Sequence, residues 1–195
     1  IAKGIQFVLG ELERLRNGEI SIDKLTITKS LRSGYKNPKQ IAHKVLADRI
    51  GKRDPGNKPA SNDRIPYVYV ETHEKKGQKI LQGDRIENPT YIIENNLKPD
   101  YKFYITNQIM KPVGQIFALI VETLEGYNKP KDYFDKKYKI YKSDRGEMKA
   151  KNKITDLRYE EASKILFDEV IRIANNRKNK THEITDFFKV SVKKK

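Results

Sequence analysis

Residues 46–70 read LADRIGKRDPGNKPASNDRIPYVYV, and three kinds of local structure follow one another within them. Leu46 and Ile50 continue an apolar stripe that begins at Ile41 and passes through Val45, the spacing of one helix face. That spacing predicts a helix over residues 39–50, entered through Asn37 and Pro38, because proline suits the first helical position. Residues 54–63 concentrate Gly, Pro, Asn and Ser, which favour turns over any regular element. Residues 66–71, PYVYVE, alternate with β-branched and aromatic side chains and predict a strand. Helix, loop and strand in so short a run predict a mixed α+β fold.

Outward from this block the patterns are mostly helical. Ile1, Ile5, Val8, Leu9, Leu12 and Leu15 recur at helical spacing, and Asn17-Gly18 supplies a C-cap. Residues 24–28, KLTIT, alternate as a short strand, and residues 74–78 make a polar turn. Residues 89–95 form a short helix with Asn88 as its cap. A long helix follows over residues 101–124, with Pro112 expected to kink it by removing a backbone donor. Residues 127–153 show no apolar period and are expected as a mobile basic linker. A further helix spans residues 159–175, and 176–195 is a basic, disordered tail. The expected fold is mainly α with a small antiparallel β-sheet. Its core would include Leu25, Ile27, Leu46, Val68, Ile105, Ile109 and Phe117.

Composition excludes several chemistries. The 195 residues contain no cysteine, which removes disulfides, thiolate metal sites and cysteine nucleophiles. The three histidines, His43, His73 and His182, stand far apart in sequence and do not form a metal-ligand pattern. No Asp-x-Asp pair or Gly-rich phosphate loop is present, so the chain is read as non-catalytic. No apolar run approaches the ~20 residues that span a bilayer. Ile1 opens directly in an amphipathic pattern with no secretory leader, and without an initiator Met, as expected for part of a longer intracellular protein.

The net charge of +15 favours a polyanionic partner, and nucleic acid is the commonest. Between Lys29 and Arg64, ten basic residues face three acidic ones, with Ser30, Ser33, Tyr35 and Asn37 interleaved as phosphate donors. A solvated helix face is the competing explanation for those charges. The 11 tyrosines could stack on unpaired bases, but Tyr67, Tyr69 and Tyr104 sit in apolar periods and read better as core.

Three blocks, 25–31 (LTITKSL), 46–70 and 89–112 (PTYIIENNLKPDYKFYITNQIMKP), resemble the thumb of family B DNA polymerases. The likeness is to delta-like eukaryotic enzymes and those of large DNA viruses. KRDPG at 52–56 followed by DRIPY at 63–67 carries it, as do Asp100, Phe103-Tyr104, Gln108 and Lys111-Pro112 in register. The resemblance covers residues 1–122 and implies the end of a palm helix over 1–18 and a thumb over 19–126; the residue pattern adds a linker over 127–153, a C-terminal helix over 154–175 and a tail over 176–195. It implies Thr28, Lys29 and Ser30 as primer-side phosphate contacts, and Arg49, Lys52, Arg53 and Arg64 as duplex contacts. Arg53 with Asp54, or Asp63 with Arg64, could instead pair to organise the loop. Catalytic carboxylates and their Mg2+ would lie in an upstream palm, with fingers beside it, and no cofactor is expected on this chain. The work would be done where DNA is replicated, in the nucleus or a viral factory.

Two positions depart from the family pattern. Asn62 stands where glycine is usual, a change asparagine tolerates at positive φ. The cysteine-rich modules of delta-like enzymes are missing, which favours a viral-type C-terminus. There, Thr181, Ile184, Phe187 and Phe188 have the spacing of a sliding-clamp-binding peptide, with Thr181 in place of the usual glutamine. Packing of those aromatics back on the 159–175 helix is the alternative. A stand-alone basic nucleic-acid-binding module and a docking scaffold remain as other readings of the whole chain.

Overall fold

The computed structural model of the chain describes residues 2–72 and 80–178, the side chains of 176–178 excepted. The expected turn at 74–78 and the clamp-peptide residues Thr181, Ile184, Phe187 and Phe188 lie outside the described residues. The described chain is mainly helical with one small antiparallel sheet. It packs as two compact units, Asn17–Tyr104 and Ile1–Arg16 with the residues from Ile105 onward.

The first helix, α1 (Ala2–Asn17), buries Leu12 and Leu15 and ends where Gly18 takes a φ of +77°. That left-handed turn is open to glycine at little cost, and a Cβ there would come within 2.9 Å of the Tyr101 hydroxyl.

The unit Asn17–Tyr104 is built on a three-stranded sheet ordered β1-β2-β3, with both pairs antiparallel. A single helical turn, α2 (Ile22–Leu25), precedes β1 (Ile27–Ser30), so the strand expected over 24–28 begins three residues late. Thr26 closes that turn by donating its hydroxyl to the Ile22 carbonyl, 2.8 Å away, so the chain extends only after it. Helix α3 (Ala42–Arg53) buries Leu46 and Ala47; Pro38–Gln40 ahead of it forms a separate 3-10 turn. β2 (Arg64–Tyr69) is the central strand and pairs Ile27 with Tyr67 and Ser30 with Arg64. β3 (Ile86–Glu87) pairs with its other edge.

Ile65, Tyr67, Val68 and Tyr69 are all buried, as a central strand covered on both faces requires. Tyr69 stacks on Phe103, with ring centroids 3.5 Å apart. Tyr104 lies in α5 (Tyr101–Tyr104), donates its hydroxyl to the Leu25 carbonyl at 2.7 Å and accepts from the Tyr69 amide at 3.0 Å. One ring therefore ties α2 to β2, and its burial raises the phenol to about 12. Helix α4 (Pro89–Glu94) is capped by Asn88, whose Oδ1 accepts the Thr90 amide at 2.9 Å. It closes with Asn96 at φ +50° and the Leu97 amide on the Ile92 carbonyl.

The stretch expected as one helix over 101–124 comes in pieces. After α5 there is a π-helical turn, Ile105–Ile109, then α6 (Met110–Ala118) and a 3-10 turn, Val121–Thr123. Pro112 has no N–H, and its ring would meet the carbonyl of Gln108 in a tight ladder; the wide turn falls just upstream, where that conflict is relieved.

In the unit from Ile105 onward, the expected linker over 127–153 is largely helical. It contains α7 (Tyr133–Arg145) and the first turns of α8 (Glu147–Lys178), which continues through the expected 159–175 helix. Phe134 is buried under the Arg158 guanidinium, 4.6 Å from its ring, and beside Tyr127. Arg158 also forms a two-pronged pair with Glu122, at 2.6 and 2.7 Å, and donates to the Ala118 carbonyl. Gly114 lets α6 approach α8: a Cβ there would sit 2.7 Å from the Tyr159 ring. Of the seven expected core residues, Leu25, Leu46, Val68, Ile105 and Phe117 are buried, while Ile27 and Ile109 are half-buried.

Candidate nucleic-acid interface

All seven sequence-derived contact residues fall in the unit Asn17–Tyr104, on three elements. Thr28, Lys29 and Ser30 lie on β1, Arg64 opens β2 directly across from Ser30, and Arg49, Lys52 and Arg53 occupy the last turns of α3. The structure separates them into two sets by what their charges meet.

Arg49 and Arg53 are engaged from within. Arg49 donates through Nη2 to the carbonyls of Gly83 and Ile86, at 2.9 and 2.6 Å. Its Nε stands 3.4 Å from the Glu87 carboxylate as an ion pair, although too far and ill-aligned for a hydrogen bond. Arg53 donates to the same carboxylate at 2.8 Å and lies over the Tyr91 ring, 3.7 Å from its centroid. Glu87 is only 5% exposed, and its other oxygen accepts the Asn88 amide at 2.9 Å. A buried carboxylate needs such partners, since desolvating it unpaired costs several kcal/mol. Arg85 and buried Asp100 repeat the arrangement at 3.1 Å.

Lys29, Ser30, Lys52 and Arg64 are exposed and Thr28 half-buried. Lys29, Lys52 and Arg64 make no ion pair among the described residues. The acidic residues beside them are occupied elsewhere. Asp54 accepts from the Gly56 amide at 3.1 Å and from the Asn57 side chain at 2.5 Å. Asp63 accepts the Ala60 amide at 2.7 Å, and its carbonyl receives the Leu31 amide. Both aspartates organise the loop through backbone amides, not by pairing with Arg53 or Arg64. Asn62 completes the turn at φ +76°, the region glycine would favour.

Between this loop and β2 opens a cleft of about 620 Å³. Its polar lining is Asn57, Lys58, Asp63, Arg64 and Asn88, and Ile50, Ile65 and Pro66 are among its apolar lining. The Lys58 stem packs so closely on Gly51 that a Cβ there would come within 2.6 Å of Lys58 Cγ. Asn57, Lys58 and Asn88 were not singled out as contacts from sequence; the pairing of Lys58 with Gly51, seven residues apart, has no local signal. A hollow of about 510 Å³ in the other unit, bordered by Ile5, Leu9, Leu124, Ile165 and Leu166, is apolar and suits no polyanion.

Cations and amide groups on a strand edge and a turn are groups that can hold sugar-phosphate. Among the described residues no cluster of three His, Asp or Glu could hold a metal ion. Buried Glu87 and Asp100 are both committed to arginines. No described helix is long and apolar enough to cross a membrane.

Residues 1–120 match the model of DNA polymerase family B. The chain is 47% identical over 192 residues to the DNA polymerase of Pyramimonas orientalis virus, covering 98% of this chain and 16% of that protein. It is 53% identical over 125 residues to the DNA polymerase of Acanthamoeba polyphaga mimivirus, covering 63% of this chain and 7% of that one. Identity to the DNA polymerase delta catalytic subunit of Caenorhabditis elegans is 37% over 118 residues, 60% of this chain and 10% of that subunit. The chain thus spans less than a fifth of the length of these relatives.

Proposed function

This chain belongs to DNA polymerase family B, and from that premise we propose that it is the thumb of a replicative polymerase, closing on primer–template duplex without reading its sequence. The observation that carries the reading is the exposed set Lys29, Lys52 and Arg64, without an ion pair among the described residues, whose neighbouring aspartates are turned into the loop. Lys29 and Arg64, with Thr28 and Ser30, line the paired edge of β1 and β2, and Lys58, Asn57 and Asn88 extend the contact into the cleft. Polymerases must hold every sequence alike, so phosphate contact is the suitable mode. Arg49 and Arg53 act on this account by stiffening the helix end rather than by touching DNA.

The whole enzyme would be a DNA-directed DNA polymerase, with its palm, fingers and Mg2+ supplied upstream of this chain. Lys29→Ala, Lys52→Ala and Arg64→Ala together should shorten product runs in that enzyme far more than they slow single-nucleotide addition. Equal loss in both assays would contradict a gripping role. For the tail, the reading includes docking of Ile184, Phe187 and Phe188, led by Thr181, on a sliding clamp, which raises processivity through effective concentration. Calorimetry of the chain against the cognate clamp should give micromolar binding that Phe187→Ala with Phe188→Ala abolishes. Equal heats from both proteins would end that part of the proposal.

A further inference from the structure

The turn that follows β1 is held by a side chain outside the contact set. His43, in the first turn of α3, lies with Nε2 3.0 Å from the Tyr35 hydroxyl. That hydroxyl oxygen accepts the Arg32 amide at 2.8 Å. The two rings meet edge-on, centroids 6.0 Å apart. The Ser30 backbone favours the protonated imidazole. His43 thus holds Tyr35, whose oxygen receives the Arg32 amide, in a turn whose reversal at Gly34 takes φ +76°.

Resting on the duplex-gripping reading, we propose that His43 is the positioning residue of this turn and takes up a proton when duplex phosphate docks beside Lys29 and Tyr35. In the neutral ring protonated on Nδ1, Nε2 accepts the Tyr35 hydroxyl proton. A second proton placed on Nε2 reverses that bond. Nε2–H then donates to the Tyr35 oxygen, and the Tyr35 O–H is released to donate outward to an anion. The Lys29 charge works against this in the free chain. Burial, then Lys29, hold the imidazole below its ordinary value, with Ser30 opposing. A phosphate beside Lys29 offsets that repulsion, so the same ligand both permits the proton and uses the donor it frees.

Arg32 and Lys36 add cations on the turn itself, and the 3-10 turn Gln82–Arg85 packed on α3 brings Asp84 and Arg85, the latter paired with Asp100. On α3, Lys44 is paired with Asp48. Glu87 on β3 is held by Arg49 and Arg53, further along the helix. Lys39, in the preceding 3-10 turn, adds a cation and no carboxylate. Lys29 on β1 is the charge that acts on the ring, and Tyr35 the other titratable group against it.

The sign follows directly. Binding is strengthened below the raised, complexed value of His43 and loses that gain above it, so affinity should rise as pH falls through the ordinary histidine range. The test is fluorescence anisotropy of the full 195-residue chain with a labelled mixed-sequence duplex, from about pH 8 down to about pH 5. We expect affinity to tighten by about tenfold, the effect of a one-unit shift. His43→Gln should lose the tightening, so that its affinity varies with pH much less than that of the wild type, whatever its absolute strength. Tyr35→Phe should also reduce it. Proton NMR of wild-type His43 should show its midpoint move upward with duplex present, which needs no variant. Duplex binding with a pH step unchanged in His43→Gln, or a His43 midpoint unmoved by duplex, would overturn this proposal and leave the grip intact. No duplex binding at any pH would overturn both.

Discussion

The two ends of the basic stretch carry similar charge in different surroundings. At the end of α3, Arg49 and Arg53 turn onto Glu87, a carboxylate that is only 5% exposed, and onto backbone carbonyls and the Tyr91 ring. On the β1–β2 edge, Lys29 and Arg64 stand exposed while Asp63 spends its oxygens on loop amides. The lesson is that a cation's role is set by where the nearest carboxylate is committed. Removing charge from the first end should cost stability, and from the second, binding.

The largest effect should come from breaking the interior pair. Glu87→Gln leaves two arginines facing a neutral amide, and should cost about 2–3 kcal/mol in urea unfolding, below the full buried-pair figure because both arginines are partly exposed. Duplex affinity under conditions where the variant stays folded should be nearly unchanged. Gly83→Ala probes the same side of α3. Its new Cβ would meet Val45 at 2.6 Å, and overpacking of that kind should cost about 1–3 kcal/mol.

Tyr104→Phe should cost about 1–2 kcal/mol, since it strips the buried Leu25 carbonyl and Tyr69 amide of a partner. The wild-type phenol titrates near 12, above its ordinary 10.0, so the folded state holds its proton longer than the unfolded one. Stability from this group is therefore complete below pH 10 and declines between about pH 10 and 12; Tyr104→Phe should flatten that alkaline loss. The smallest effect on stability belongs to the outer set. Lys29→Ala, Lys52→Ala and Arg64→Ala together should move the unfolding free energy by no more than about 0.5 kcal/mol. A larger loss would show that these cations also serve the fold.

Much of the architecture was legible because its signals are local. The Asn17-Gly18 stop, the Asn88-Pro89 start and the PYVYV alternation each state their own geometry within a few residues. Residues 127–153 misled because α7 buries one residue, Phe134, and covers the rest of its inner side with tyrosines and lysine stems, which leave no apolar period. The partner that seats Phe134 is Arg158, far along the chain. The interior partners of Arg49 and Arg53 were hidden for the same reason: Glu87 lies more than thirty residues away, and its burial depends on the finished sheet. Sequence lists the cations, and packing shows which of them meet a buried carboxylate.

The salt dependence of duplex binding tests the central claim most directly. With about four to six phosphates neutralised, log affinity of the wild-type chain should fall against log salt with a slope of roughly −4 to −5. Replacing Lys29, Lys52 and Arg64 by alanine should flatten that slope by about two to three units, while Arg49→Lys with Arg53→Lys should leave it unchanged. A slope indifferent to the outer three, or one that tracks the inner two, would contradict the division of labour described above.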